Sequence, residues 1–534
     1  MAAPTQLLAL LVMLALAAAA MASSGRQHHH QQHRHRQHGR KSSARLTLVP
    51  AAPGASFAAR ARDDRHRHAY IRSTLAASRR RAAEVEVGAS AFAMPLSSGA
   101  YTGTGQYFVR FRVGTPAQPF VLVADTGSDL TWVKCRGAAA AGSASSSSPA
   151  PAPAREFRPA DSKSWDPIAC SSDTCTSYVP FSLANCSTPA SPCAYDYRSV
   201  LLLDAIAVLR TPPVDHLVPL TRARYSTGSR YDTAPSGGGG SGGDTAAAGR
   251  RQRQEYKDGS AARGVVGTDS ATIALSGSGH SGADSSRRAK LQGVVLGCTA
   301  SYDGQSFQSS DGVLSLGNSN ISFASRAAAR FGGRFSYCLV DHLAPRNATS
   351  YLTFGPAPEA SASAAPEQTP LLLDRRMSPF YAVTVDTIYV AGEALDIPAA
   401  VWDVDRDGGA ILDSGTSLTI LATPAYAALV AALSKQFAGL PRVAMDPFEY
   451  CYNWTEGAAP EIPALEVHFA GAARLEPPAK SYVIDAAPGV KCIGVQEGAW
   501  PGVSVIGNIL QQEHLWEFDL RDRWLRFKHT RCAQ

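Results

Sequence analysis

The chain has 534 residues, too many for one compact core, so two or more domains are expected. Its net charge of +7 is local: residues 23–95 hold fourteen Lys or Arg against four acids, residues 199–255 hold seven Arg against five acids, and the rest is mildly acidic. A body of that sign gives a nucleic-acid or anionic-membrane role little electrostatic support.

The first predicted element is the apolar run Leu7 to Ala22, which ends in Ala20-Met21-Ala22. It reads as a signal peptide over 1–22 with a small-x-small cleavage site. Residues 23–95 follow as a His- and Arg-rich prosegment that is low in complexity and not expected in the final fold. Its basic side chains can pair with carboxylates of the acidic body at neutral pH, and those pairs weaken on acidification. That makes a pH-released plug one reading of the segment.

Ordered structure is expected from "GTGQYFVRFRVGTP", where Tyr107, Val109, Phe111 and Val113 alternate with Phe108, Arg110 and Arg112, as in a half-buried strand. "PFVLVADTGS" returns as a central strand, apolar on both faces. Residues 137–154 form a Ser/Ala/Pro-rich surface insertion, and the stretch from Cys170 to Cys193 a cysteine-rich loop. Residues 199–255 interrupt what would otherwise read as one hairpin strand. They carry Pro212-Pro213, a Gly/Ser run and "RRQRQ", and read either as an insertion or as sequence foreign to the mature protein. Short strands fill the rest, with helices expected at "SFASRAAARFG" and "TPAYAALVAALSKQFAG". The boundaries place one lobe at 96–350 and a second at 351–534.

One short pattern occurs in each lobe. "VLVADTGS" ends in Asp125-Thr126-Gly127-Ser128, and "AILDSGTS" holds Asp413-Ser414-Gly415-Thr416. A single Asp-Thr-Gly is an ordinary turn. Two copies, each closing an apolar strand and each flanked by hydroxyls, point to two related lobes that aim one carboxylate each at a shared point. Such a pair cannot both ionise, so one acid and one base result. Together they can activate a water and protonate a carbonyl oxygen without metal or other cofactor. Neither GxSxG nor HExxH occurs, which disfavours serine and zinc hydrolases.

These motifs resemble the pepsin-like aspartic endopeptidases, and within them the plant nepenthesin-like branch, to which the cysteine-rich Cys170–Cys193 insertion points. The resemblance covers about 96–198 and 256–534. It implies an all-β, bilobal fold with a cleft between two β-rich lobes, and Asp125 and Asp413 as catalytic dyad. It also implies that Thr126 and Ser414 cross-brace the two loops, and that Ser128 and Thr416 bond the outer carboxylate oxygens. Trp132 would brace a flap tyrosine, Tyr256, whose flap tip "YKDGS" includes Asp258 and Gly259. A Cys451–Cys492 bridge is implied, with the other pairings among ten cysteines open. The expected activity is peptide-bond hydrolysis with an acidic optimum and pepstatin sensitivity. The alternatives are a non-catalytic binding or inhibitor protein on the same fold, or an enzyme impaired by residues 199–255.

The expected partner is a protein or peptide substrate, with no nucleic acid, no membrane anchor and a monomeric state. The even cysteine count and the sequons at Asn185, Asn320, Asn347 and Asn453 fit the secretory route, with the extracellular space expected and vacuole or plastid as alternatives.

Overall fold

The computed structural model describes residues 64–65, 67–69, 71–72, 92–98, 105–136, 155–179, 186–197, 261–274, 288–303, 307, 310–345, 348, 350–355, 365–455 and 460–533. The flap-tip residues Tyr256, Asp258 and Gly259, the whole of 199–255, and the sequons at Asn185 and Asn347 lie outside them.

Strands dominate the regular structure, with two α-helices of eight residues or more among the described residues, Phe323–Phe331 and Thr423–Gln436, inside the two expected stretches. Ser322 caps the first: its side chain accepts a hydrogen bond from the Ser325 amide at 3.1 Å. Asn320, two residues earlier, is exposed.

The two lobes are built on one repeated strand arrangement. In the first, Gln118–Asp125 runs parallel to Gly312–Ser315, which lies antiparallel to Thr131–Lys134, which is in turn parallel to Arg288–Asp303. In the second, Ala410–Asp413 runs parallel to Ser504–Gly507, which lies antiparallel to Thr419–Ala422, which is in turn parallel to Val495–Gly498. The register repeats as well, with Asp125 opposite Ser315 and Asp413 opposite Gly507. Strands buried on both faces explain the near-continuous apolar text before each aspartate.

A shared sheet holds the lobes together. Its order is Trp524–His529, His514–Asp519, Arg334–Cys338, Ser350–Phe354, Phe92–Ser98 and Tyr107–Val113. Two of these strands come from the chain's C-terminal end, and one of them, His514–Asp519, pairs directly with Arg334–Cys338 of the first lobe. Ordered strand therefore starts at Phe92, a few residues upstream of the expected boundary. The expected lobe border at 350 falls inside this sheet, because Ser350–Phe354 pairs with both Arg334–Cys338 and Phe92–Ser98. Phe335 stacks on Phe518 across the junction at 4.6 Å, and Tyr381 lies 4.9 Å from the same ring.

All ten cysteines are paired: Cys135–Cys298, Cys170–Cys186, Cys175–Cys193, Cys338–Cys532 and Cys451–Cys492. Cys338–Cys532 ties the C-terminal segment to the shared sheet, while the two bridges from the 170–193 loop are local staples. Among the described residues no helix is long and apolar enough to cross a membrane.

Phe518 is fully buried and touches rings from both lobes. Phe518→Ala is expected to cost about 3–5 kcal/mol and to lower the stability of both lobes together in chemical denaturation followed by near-UV dichroism. Loss of one lobe's signal with the other unmoved would contradict a common core.

Candidate active site

Asp125 and Asp413 each sit at the carboxyl end of a buried strand, and both are buried. The turns that follow fold back on them alike. Gly127 N donates to Asp125 Oδ1 at 2.9 Å, and Gly415 N donates to Asp413 Oδ1 at 3.0 Å. The two turns face each other at van der Waals range. A Cβ on Gly415 would lie 2.5 Å from Asp125 Oδ1, and one on Gly127 would lie 2.9 Å from Asp413 Oδ1. Glycine is required at both places by close approach of the opposite carboxylate.

The hydroxyls between the turns cross over. Ser414 Oγ donates to Ala124 O at 3.0 Å and accepts from Thr126 N at 3.1 Å. Thr126 Oγ1 donates to Leu412 O at 3.3 Å and accepts from Ser414 N at 2.8 Å. Each lobe thus satisfies the buried backbone of the other, which fixes the two loops as one unit. Thr416 Oγ1 donates to Asp413 Oδ2 at 2.6 Å. Ser128 is placed differently from the expectation: its hydroxyl donates to the Asp125 main-chain oxygen at 3.3 Å and not to the carboxylate. Trp132 is buried with its ring edge-on to Phe307 at 4.9 Å.

The expectations did not include a leader residue in the site. Residues 64, 65, 67–69, 71 and 72 are helical and lie in the cleft. Arg67 reaches between the carboxylates: Nε lies 2.5 Å from Asp413 Oδ2, and Nη2 lies 2.5 Å from Asp125 Oδ1 and 2.9 Å from Asp413 Oδ1. Three further contacts fall on the same helix face. The Asp64 carboxylate accepts from Ser417 N at 2.8 Å and from Leu418 N at 2.7 Å. His68 Nε2 lies 3.1 Å from Val503 O, and Ile71 is fully buried in an apolar cluster with Phe380, Ile411, Ile420 and Val505. The signal was present in the sequence: Asp64, Arg67, His68 and Ile71 are spaced i, i+3, i+4, i+7, one side of a helix. The charged, Arg-rich text around them hid it.

The cation decides the charge of the pair. Burial pushes the Asp413 carboxyl up, but the Arg67 guanidinium, the Thr416 hydroxyl and the Gly415 amide outweigh it and hold it below the usual carboxylate range. Burial pushes Asp125 up and the nearby Asp413 adds to this, so Asp125 stays above its ordinary value although Arg67 opposes the rise. The two carboxyls are thus pushed in opposite directions, Asp125 up and Asp413 down. His68 is held below its ordinary value by burial, with Arg72 adding to the effect against the bond to Val503. Among the described residues no group of three or more His, Cys, Asp or Glu is placed to hold a metal.

Comparison with known proteins agrees with this geometry. Family models described as the N-terminal and C-terminal parts of xylanase inhibitors match residues 107–205 with 234–356, and 380–529. The stretch 206–233, inside the anomalous 199–255, is matched by neither. The chain belongs to the plant pepsin-like aspartic protease family. It is 29% identical over 446 residues to Aspartyl protease family protein 2 of Arabidopsis thaliana, covering 83% of this chain and 74% of that protein. It is 26% identical over 444 residues to aspartic proteinase nepenthesin-2 of Nepenthes gracilis, covering 81% and 79%. The crystal structure of edgp superposes with a TM-score of 0.54 at 17% identity, over 84% of this chain and 96% of that one. Conglutin gamma, a basic 7S globulin from lupine seeds, gives 0.53 at 17% identity, over 82% and 95%.

The docked leader is expected to leave the cleft in acid. For Asp413, held low while docked, the contribution to docking is complete above its undocked value and is lost as pH falls through the docked one. His68 acts in the same direction. Free, it takes up a proton near pH 6.5, and docking forbids that proton, so docking weakens progressively below about pH 6.5. Arg67 also lowers Asp125, so what Asp125 contributes to docking is lost in the same direction as pH falls. Hydrogen exchange of the 64–72 amides in the full chain, corrected for intrinsic rates, is expected to show protection at pH 7 that fades from about pH 6.5 downward. His68→Gln should move the onset lower, and Arg67→Gln should lose protection at pH 7. Protection independent of pH would refute the ionic account.

Proposed function

We propose that the chain is an aspartic endopeptidase made in latent form, with Asp125 and Asp413 as its catalytic dyad. The observation that carries this reading is the dyad itself: two buried carboxyls from two lobes share a single guanidinium at 2.5–2.9 Å. Arg67 Nη2 bonds both carboxylates, so it fills the place where a bridging water would stand. Once it leaves, Asp413 is the base that deprotonates the water, and Asp125 is the acid that protonates the scissile carbonyl oxygen. Water attacks that carbonyl carbon directly, so no covalent enzyme intermediate forms. Thr126 and Ser414 keep the loops in register, Thr416 orients the Asp413 carboxylate, and Gly127 and Gly415 allow the approach.

The named proteases among the relatives support a protein or peptide as substrate. Five disulfides support passage through an oxidising, secretory compartment. A second reading, a non-catalytic binding protein on the same fold, is favoured by the inhibitor description of the family models and by the likeness to a 7S globulin.

Cleavage of an unfolded protein by the full chain between pH 3 and 7 separates the two. The expected result is activity only in acid, blocked by pepstatin. Asp125→Asn and Asp413→Asn should each lower kcat by about 10²–10⁴-fold while the protein stays folded. Arg67→Gln should cleave at pH values where the unaltered chain is silent. A folded, leader-free chain that cleaves nothing at any pH would put the binding protein first.

A further inference from the structure

The two half-sites repeat each other strand for strand, and they differ at one place beside the dyad. Asp125 is opposite Ser315, and the next residue is Leu316, whose amide donates to Asp125 O at 2.8 Å. Asp413 is opposite Gly507, and the next residue is Asn508. Leucine has no side-chain donor. Asparagine does, and here both of its donor hydrogens are used. Asn508 Nδ2 lies 3.0 Å from Ser414 O and 2.8 Å from Gly105 O. Ser414 follows Asp413 directly. Gly105 belongs to the first lobe, two residues before the strand Tyr107–Val113.

The same stretch grips the rest of the loop through its backbone. Asn508 N donates to Thr416 O at 2.7 Å, and Ile509 N donates to Ser417 O at 3.1 Å. Three carbonyls in the four residues after Asp413 are thus held from residues 508 and 509. Only the one nearest Asp413 is held by a side chain that also reaches the other lobe. The amide's orientation is fixed, because a swapped amide would set its oxygen against two carbonyl oxygens. Its own oxygen, Oδ1, is buried and has no hydrogen-bond partner. Asn508 is fully buried, so that unmatched acceptor counts against stability, and what the residue contributes lies at its donor end.

We propose that Asn508 is the positioning residue of Asp413: its carboxamide ties the catalytic loop of the second lobe to Gly105 of the first and so sets the distance and angle at which Asp413 meets Asp125. The proposal rests on the reading of Asp125 and Asp413 as the dyad. Without the amide, two buried carbonyls lose their donor and the loop is free to relax away from the lobe boundary. The neighbouring contacts point the same way: Gln512 Nε2 donates to Tyr107 Oη at 2.8 Å, and Tyr107 Oη donates to Val340 O at 2.6 Å. The turn 508–512 therefore docks on the first lobe at both ends, and Asn508 is the end beside the dyad.

The test compares the full chain with Asn508→Leu, which keeps the volume and copies the first lobe, and with Asn508→Ala, should the leucine variant not fold. Acid-activated protein is expected to show kcat lowered by about 100-fold, as a shift of about 1 Å at a reacting group does, with KM within about twofold. In the latent form, amides 414–418 should exchange faster in the variants while amides 126–129 do not. A residue that serves stability alone would lower the melting temperature and leave kcat unchanged below it. Unchanged kcat and unchanged loop exchange in a folded variant would overturn the proposal. If the unaltered chain itself cleaves nothing, the catalytic reading fails. The exchange comparison still decides whether Asn508 holds the loop: faster exchange confined to 414–418 sustains that, and equal exchange overturns it.

Discussion

Two carboxylates buried within reach of one guanidinium pose an electrostatic problem that shapes everything around them. Like charges at this range cannot both persist in a poorly solvated site. The protein meets it by pushing the two carboxyls apart, Asp125 up and Asp413 down, with one cation, Arg67, between them. Every nearby feature serves that arrangement. The glycines admit the opposite carboxylate, the crossed Thr126 and Ser414 hydroxyls satisfy the backbone that the approach would strand, and the shared sheet keeps two separate lobes in register.

The repeat explains why so small a pattern is so specific. A strand buried on both faces must end where its last side chain can be satisfied, and here each strand ends on a carboxylate met by its own turn. One lobe alone would leave an acid facing solvent. Two lobes joined through Arg334–Cys338 and His514–Asp519 place the acids face to face. The lobes are alike but not identical. Thr416 bonds the Asp413 carboxylate whereas Ser128 bonds the Asp125 backbone, and Asn508 stands where the first lobe has Leu316. These differences fall on the side that carries the negative charge.

Much of this was legible from the residues. The alternation at Tyr107–Val113 and the apolar runs ahead of Asp125 and Asp413 are local patterns with one physical reading, and both helices sit inside periodic or alanine-rich text. Phe108 escaped the alternation because its face meets a second core with Val123 and Trp132. Disulfide partners were illegible for a different reason: Cys135 and Cys298 are 163 residues apart and meet only through strand pairing. The leader could be read as a removable basic segment or a pH-released plug, but its composition singled out no residue. Its basic, low-complexity character describes most of residues 23–95, whereas Asp64, Arg67, His68 and Ile71 share a helix face whose meaning depends on a cleft far away in sequence. Asn508 likewise looks like any turn residue until Gly105 is brought beside it.

On the proposed reading, the latent and active states differ by less than the occupied cleft implies. With Arg67 in place the Asp413 carboxyl is held low and Asp125 stays above its ordinary value, the same order of acidity that water activation would require. Inhibition therefore does not need to distort the dyad; it needs only to stand in its centre. Removing the cation raises the Asp413 carboxyl, because one of the interactions holding it down is gone while burial remains. The pair then shares its proton over a range set by their mutual repulsion and by the fixed donors that stay behind, Thr416 and the two glycine amides. Acid acts on the plug before it reaches that range, since His68 resists docking from near neutrality downward. Both groups weaken docking as pH falls: the histidine is forced to stay neutral in its buried place, and the carboxylate is held low only while the cation is docked.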